Sequence, residues 1–452
     1  MHFIGIGGIG MSGIAEILIN LGYEVSGSDL RESEQTSRLR QMGATIYIGH
    51  YSSNIHDYHV VVTSSAIKPN NPEIVEAVNR KIPIIHRSEM LAEIVRLKHG
   101  IGVAGTHGKT TTSSLLAYVL FHGGFNPTSV IGGKVLNFGS NAQVGEGEYI
   151  VFEADESDGS FLKLLPTIGV VTNIDADHLD HYKYFEGLKE AFLTYMNNIP
   201  FYGYSVVCID DHSIEELLPR VERPYVTYGL SAGADFRAQD LRIVDGRTVY
   251  SCYYKEEKLG DVTLSLLGEH NVVNSLSVVA VALELGVPFP LIAEGIARFK
   301  GVGRRLEHIG EINGITVIDD YGHHPTEVRA TLEALKNLDR RLVVVFQPHR
   351  YSRTKLLCDE FGQAFPMADV LMLTEIYAAG EEPMEGVNSE LLKEAISRHE
   401  QKNVDIISSF DEIPDRIASV IKEGDIVLTL GAGDIYKAGP MILEKLLEKY
   451  GK

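Results

Sequence analysis

The residues Gly105-Thr106-His107-Gly108-Lys109-Thr110-Thr111 constrain this chain more than any other stretch. An apolar run, Ile101-Gly102-Val103-Ala104, leads into them. Behind them Leu115, Leu116, Val119 and Leu120 fall at helical spacing, and Gly123-Gly124 stops the helix. Strand, glycine loop, lysine, hydroxyl and helix in that order make a triphosphate cradle. Loop amides and the helix N-terminus point donors at phosphate oxygens. Lys109 reaches the β/γ phosphates and the Thr110 hydroxyl suits Mg²⁺. The usual pattern has glycine where Val103 stands, so spacing alone leaves a purely structural glycine turn open. The Gly-Lys-Thr triplet at a strand-to-helix junction favours nucleotide binding, and with it the use of ATP or GTP.

Length bounds what surrounds this loop. At 452 residues the chain has room for roughly three domains. A 44% apolar and 23% charged composition is that of a folded chain. The net charge of −20 excludes a nucleic-acid backbone or an anionic membrane as natural partner, but not a phosphorylated small molecule. Cys208, Cys252 and Cys358 are far apart, match no metal spacing, and read as reduced thiols of a cytoplasmic protein. No leader-like stretch or bilayer-length apolar run is present.

An α/β chain of three domains is expected: 1–98, 99–305 and 306–452. The first opens with a glycine loop, then a helix carrying Ile14, Ile17, Leu18 and Leu21 that Gly22 ends. A second strand is expected at Tyr23-Glu24-Val25-Ser26, and Val60-Val61-Val62 reads as a parallel strand covered on both faces. The whole forms a Rossmann-like unit. The second domain, of phosphate-loop type with a mostly parallel sheet, has strands at 149–152, 168–172 and 205–209. An antiparallel flap spans 235–266 and a helix starts near Asn271. The third, again Rossmann-like, has strands at 316–318, 342–346, 370–373, 404–407 and 426–430. A hinge is expected at 300–305, where Gly301 and Gly303 absorb rotation.

Other motifs carry chemistry. Gly5-Ile6-Gly7-Gly8-Ile9-Gly10 fits G-x-G-x-x-G, with Asp29 at ribose-gripping distance, which by itself points to a dinucleotide site or any diphosphate. Glu153 opens an acidic run, 153–158, and stands as a metal ligand beside Thr110. His178 in Asn173-Ile174-Asp175-Ala176-Asp177-His178 is a candidate for a second cation. Asn271 caps a helix or, with Asn274 one turn on, reads an adenine edge. Asp319-Asp320-Tyr321-Gly322-His323-His324-Pro325 and Arg350 with Arg353 follow strand ends, and the arginine forks suit carboxylate or phosphate.

In this order the motifs resemble the muramyl (Mur) ligase family over the whole chain: 5–13 (GIGGIGMSG), 105–112 (GTHGKTTT), 153–161 (EADESDGSF), 172–180 (TNIDADHLD), 268–274 (GEHNVVN), 319–328 (DDYGHHPTEV) and 346–354 (FQPHRYSRT). The resemblance implies an ATP-dependent ligase of bacterial peptidoglycan precursor synthesis. Such an enzyme joins L-alanine to the lactyl carboxylate of UDP-N-acetylmuramate through an acyl phosphate. A sister activity, attaching a murein tripeptide during wall recycling, is the alternative. Later-acting sisters carry a metal-supporting lysine fifteen residues beyond the Asp of the Asp-His pair; here that position is Phe192, as in the alanine-adding branch.

The resemblance also implies the site. Lys109, Glu153, His178, His323 and Arg350 are catalytic. Gly105, Thr106, His107, Gly108, Lys109, Thr110, Thr111, Asn271, Asn274, Arg305 and Asp320 bind ATP. Gly7, Gly8, Ile9, Gly10, Met11, Ser12, Asp29, His50, Ser64, Arg350 and Arg353 bind the UDP substrate. Tyr321 and His323 face the amino acid, and Thr110, Glu153 and His178 hold one or two Mg²⁺ ions, with Mn²⁺ as a substitute. A monomer or weak homodimer is expected. Two other readings stay open: a nicotinamide-dependent dehydrogenase, which leaves Lys109 unexplained, and a non-catalytic nucleotide-binding module.

Overall fold

In the strand Leu342–Phe346, Leu342, Val344 and Phe346 enter one apolar cluster while Val343 and Val345 enter another. The strand Ile426–Leu430 divides in the same way: Ile426, Leu428 and Leu430 go to the first cluster and Val427 to the second. A strand packed on both faces needs an unbroken apolar run, and these are such runs. Each buried valine or leucine contributes about 1.5–3 kcal/mol.

In this computed structural model, residues 1–244, 246–399 and 404–451 are described, without the side chains of Leu179 and Asp180. The chain forms two compact units. One comprises Met1–Ile243, Val249–Ser265 and Val272–Lys300; the other comprises Val244–Thr248, Leu266–Asn271 and Gly301–Lys452.

The first unit carries two sheets. The smaller is wholly parallel and runs, edge to edge, Thr45–Ile48, Ser26–Asp29, His2–Ile4, Val61–Thr63, Ile84–His86. The second strand thus lies three residues beyond the expected 23–26. Tyr23 and Glu24 are exposed, and the strand needs Gly27, where a Cβ would meet Ile6 at 2.6 Å. At the centre of this layer is the fully buried Glu73. Its oxygens accept from Ser28 Oγ at 2.5 Å and Asn54 Nδ2 at 2.6 Å, with His50 Nδ1 at 3.3 Å and His2 Nε2 at 3.7 Å. Burial works against its charge, but the bonds from His2, Ser28 and Asn54 outweigh that and hold the carboxyl below its ordinary range.

The larger sheet has ten strands. At its middle, His99–Ala104 lies between Ile168–Val171 and Tyr149–Glu153, all parallel. Phe236–Val244, Arg247–Tyr254 and Glu257–Leu264 extend one edge, as expected of a flap. The other edge ends in an unforeseen antiparallel pair, Thr128–Val135 with Ser140–Gln143.

Among the described residues the second unit carries a six-stranded sheet, in the order Glu307–Ile312, Ile315–Asp320, Ile426–Leu430, Leu342–Phe346, Val370–Thr374, Val404–Ile407. All pairings are parallel except the first, a hairpin turned at Asn313-Gly314, where φ is +50° and +72°. That leading strand precedes the one expected to open the segment. Asp319 and Asp320 sit inside the next strand and are buried, not in a loop beyond it.

Burial pushes the thiols of Cys208 and Cys252 up to about 12, whereas Cys358 is partly exposed. Among the described residues no helix is long and apolar enough to cross a membrane.

Candidate active site

In the first unit the strand His99–Ala104 ends and the helix Lys109–His122 begins across a loop whose Gly105 and Gly108 have φ of +134° and +83°. Gly105 also has no room for a side chain, since a Cβ would lie 2.0 Å from Thr172 Oγ1. Gly105→Ala is therefore expected to destabilise the protein by at least about 3 kcal/mol, read as a lower urea midpoint. Asn173 clamps the loop: its carbonyl accepts from Thr106 N–H at 3.0 Å, its Oδ1 from His107 N–H at 2.8 Å, and its Nδ2 donates to His107 O at 3.0 Å.

Lys109 opens the helix and turns its ammonium back into the loop. It donates to Gly105 O at 2.6 Å and to both oxygens of the buried Glu156 at 2.7 and 2.9 Å. Burial disfavours its charge, but Glu156, Asp155 and Glu153 together hold its pKa above the ordinary value. Thr110 Oγ1 donates to Glu153 Oε2 at 3.2 Å, and Glu153 Oε1 accepts from Gly132 N–H at 2.6 Å and Ser113 Oγ at 3.4 Å. Burial raises the pKa of Glu153. A half-buried carboxylate beside a threonine hydroxyl is a hard-oxygen pair that fits a divalent cation. His178 has φ +55°, and its Nε2 stands 3.7 Å from Glu156 Oε1. Lys109, Glu156 and His178 thus form one chain of contacts, with Thr110 and Glu153 paired beside Lys109. Within the acidic run the sequence points to Glu153 and not to Glu156. Its signal is its place three residues after Glu153, with Asp155 between them turned to another partner.

Asn274 packs against the same loop, since a Cβ on Gly108 would lie 2.8 Å from its Nδ2. Asn271 is not a cap. The helix Glu269–Glu284 begins two residues earlier, and Asn271 Nδ2 donates to Leu267 O at 2.7 Å.

The first glycine loop leads into the helix Ile9–Asn20, so Ile9, Gly10, Met11 and Ser12 form its first turn, with Gly8 at the cap. Asp29 turns inward, and its Oδ2 accepts from Gly7 N–H at 2.9 Å. In this position it braces the glycine loop. His50 stands 2.9 Å from Ser28 Oγ and belongs to the Glu73 network. Ser64 accepts from Ile67 N–H at 3.0 Å through its carbonyl.

In the second unit the remaining candidate residues stand at and beyond the strand ends. His323 Nδ1 donates to Tyr321 O at 3.1 Å, and its ring meets those of Tyr321 and His349 with centroids 5.2 and 5.6 Å apart. His349 stacks on Tyr377 at 5.8 Å and accepts from Arg353 Nη1 at 3.2 Å. Arg350 is exposed at φ +69°, ψ 138°, with its N–H on Tyr377 O at 2.8 Å. Arg305 lies over the Tyr321 ring at 5.1 Å. Asp320 is fully engaged: it accepts from Leu306 N–H at 2.8 Å, Gly322 N–H at 2.8 Å and Thr331 Oγ1 at 3.1 Å.

Burial lowers the pKa of His323 and His270 to about 4, and that of His349 to about 3, where His323 and Arg353 add to the effect. All three are neutral near pH 7. An unfolded histidine takes up its proton near pH 6.5. The stability these sites confer is complete above that pH and is lost as the pH falls toward about 4. Urea midpoints should drop between pH 7 and pH 5, and His349→Gln should flatten the profile.

A lysine-bearing glycine loop backed by the buried Glu156 and the half-buried Glu153, in an α/β chain of mainly parallel sheets, defines a nucleotide-using enzyme of the phosphate-loop class. Family models match along nearly the whole length: Mur ligase family, catalytic domain, over residues 1–99; Mur ligase middle domain over 103–282; and Mur ligase, glutamate ligase domain, over 304–433. The chain belongs to the Mur ligase family. It is 56% identical over 451 residues to the UDP-N-acetylmuramate–L-alanine ligase of Geobacter sulfurreducens, covering 99% of this chain and 98% of that one. The enzyme of the same name from Trichlorobacter lovleyi is likewise 56% identical, over 449 residues, with 99% and 98% covered. A crystal structure of UDP-N-acetylmuramate-alanine ligase from Thermotoga maritima is similar with TM-score 0.85 at 29% identity over 99% of both chains. A murein peptide ligase from Psychrobacter arcticus follows with TM-score 0.73 at 26% identity over 98% of both.

Proposed function

We propose that this protein joins L-alanine to the lactyl carboxylate of UDP-N-acetylmuramate at the expense of ATP, forming ADP and phosphate. The observation that carries the reading is the pairing of Lys109 with the buried Glu156, beside the Thr110–Glu153 pair, at the glycine loop. Identity above half over nearly the full length with alanine ligases supports the choice of substrates.

A carboxylate is a poor acyl donor because its oxygen is a poor leaving group. Transfer of the γ-phosphoryl group to it gives an acyl phosphate; the amine of alanine then adds to the acyl carbon and phosphate departs. The protein's share is alignment and charge stabilisation. Lys109 leaves Glu156 for the γ-phosphate, and the loop amides hold the β-phosphate. Thr110 and Glu153 would hold Mg²⁺, with His178 at a second ion; bound there, the metal neutralises phosphoryl oxygens. Asn271 and Asn274 hold adenine. The glycine loop 5–13 holds the uridine diphosphate, and Arg350 and Arg353 face the reacting carboxylates. His323 and Tyr321 border the alanine.

The test is phosphate release with UDP-N-acetylmuramate and ATP across alanine, glycine, serine and a murein tripeptide. Stimulation by alanine alone is expected. Stimulation by the tripeptide alone would replace this reading with the recycling activity. Removing divalent cations with EDTA should abolish release, and added Mg²⁺ should restore it.

A further inference from the structure

Glu156 and His178 reach the loop of Lys109 from opposite flanks. In the ten-stranded sheet His99–Ala104 lies between Tyr149–Glu153 and Ile168–Val171. The acidic run therefore leaves the sheet on one side of the lysine loop, and the turn carrying His178 leaves it on the other. The two flanking strands do not pair with each other, so no ladder bond between them fixes the distance from Glu156 to His178. Contacts across the lysine loop fix it. Two of these use groups that the proposed reaction recruits: Lys109 bonds both oxygens of Glu156 at 2.7 and 2.9 Å, and His178 Nε2 stands 3.7 Å from Glu156 Oε1. Both links lapse when Lys109 turns to a phosphoryl group and His178 to a cation.

A third link uses neither group. Tyr182 ends the single helical turn Leu179–Tyr182 that follows His178, and its hydroxyl donates to Glu156 O at 2.6 Å. Its N–H donates to His178 O at 3.2 Å. One residue thus holds the backbone of Glu156 with its side chain and the backbone of His178 with its amide. His178, at φ +55°, is in a conformation that persists only where its surroundings impose it. The acidic run turns back at Gly159, φ +69°, where a Cβ would lie 2.9 Å from His181 Nε2; glycine there lets the two segments approach. Burial, with the charges of Glu156, Asp158 and Asp155, pushes the Tyr182 phenol up, so the hydroxyl remains a donor near neutral pH.

We propose that Tyr182 is a positioning residue: its hydroxyl straps the acidic run to the turn of His178 across the lysine loop, and keeps Glu156 and His178 in place while Lys109 and His178 engage their ligands. This rests on the reading that the chain binds ATP and divalent cations at that loop. The strap bonds only backbone, so it outlasts the exchange of partners that ligand binding brings. Removing the hydroxyl leaves Glu156 O with the Gly159 N–H at 3.0 Å, so Tyr182→Phe strands no carbonyl and keeps the fold.

The test is a Mn²⁺ titration of the protein with a non-hydrolysable ATP analogue, followed by loss of the free-ion signal in electron paramagnetic resonance, which needs no turnover. Tyr182→Phe should raise the Mn²⁺ concentration for half-saturation at least about threefold, as loss of a group that orients a ligand does. His178→Ala should raise it too, and adding Tyr182→Phe to His178→Ala should change it by less than about twofold, because the strap acts through His178. In phosphate release, counted per ADP-binding site so that only folded molecules contribute, kcat of Tyr182→Phe should fall at least about fivefold with KM for alanine and UDP-N-acetylmuramate within about twofold. A wild-type Mn²⁺ titration in Tyr182→Phe overturns the proposal, and so does an effect that persists in full without His178, or an unchanged kcat. If the wild type releases no phosphate with any amino acid, the functional reading fails, and the Mn²⁺ titration still decides the role of Tyr182.

Discussion

Lys109→Ala should lower ligation by at least about 10³-fold, because on the proposed mechanism it removes the cation that faces the transferred phosphoryl group. The sequence alone suggests a clean catalytic loss with the fold intact. The structure adds a second effect. Glu156 is fully buried and has Lys109 on both its oxygens. Removing one partner of a buried pair leaves an uncompensated charge, at a cost of about 3–5 kcal/mol. The alanine variant should therefore be both inactive and less stable. Adding Glu156→Gln removes the stranded charge, so the double variant should recover at least about 1 kcal/mol of stability and no turnover. Urea unfolding of wild type, single and double variants, run beside phosphate release, separates the effects. A single variant as stable as wild type would show that the pair contributes nothing to folding.

Arg350→Gly should lower kcat/KM by at least about 10²-fold while leaving the protein as stable as before or more so. Arg350 holds φ +69°, ψ 138°, a backbone region that disfavours every residue but glycine. Such a residue costs about 1–3 kcal/mol and persists where its surroundings determine it. Here its N–H is tied to Tyr377 O at 2.8 Å and its carbonyl accepts from Thr354 Oγ1 at 2.8 Å. Glycine relieves the strain, offset by about 0.5–1 kcal/mol of extra unfolded-chain freedom. Arg350→Ala keeps the strain and loses the same guanidinium. The expected pattern is equal loss of activity with the glycine variant the more stable. A glycine variant less stable than the alanine variant would mean that the conformation carries no strain.

How much was legible in the sequence follows from where each signal resides. Runs such as Val343-Val344-Val345 show their strands because burial on both faces leaves no polar position. The turn from the strand His99–Ala104 into the helix Lys109–His122 shows itself because Gly105 and Gly108 answer a backbone requirement that few other residues meet. The strand at Ser26–Asp29 was displaced because Ser-Gly-Ser-Asp has no strand propensity, and tight packing on Ile6 selects Gly27 instead. The hairpin at Asn313-Gly314 was readable, since Asn-Gly between two strands is a strong turn signal, but the glycine-rich stretch before it drew the boundary. The partners of Asp29 and Glu156 are not legible in the sequence, because each lies more than twenty residues away: Gly7 for Asp29, Lys109 for Glu156.

The cysteines have a practical consequence. Two thiols are shut in the interior with pKa near 12, so they stay protonated and out of reach of alkylating reagents. Cys358, at the start of the short helix Cys358–Gly362, is the one left for a maleimide dye at mildly alkaline pH. A dye there labels the second unit, and a fluorescent adenine nucleotide, bound at Lys109 as proposed, labels the first. Energy transfer between them can then follow the units through a catalytic cycle in the unaltered chain.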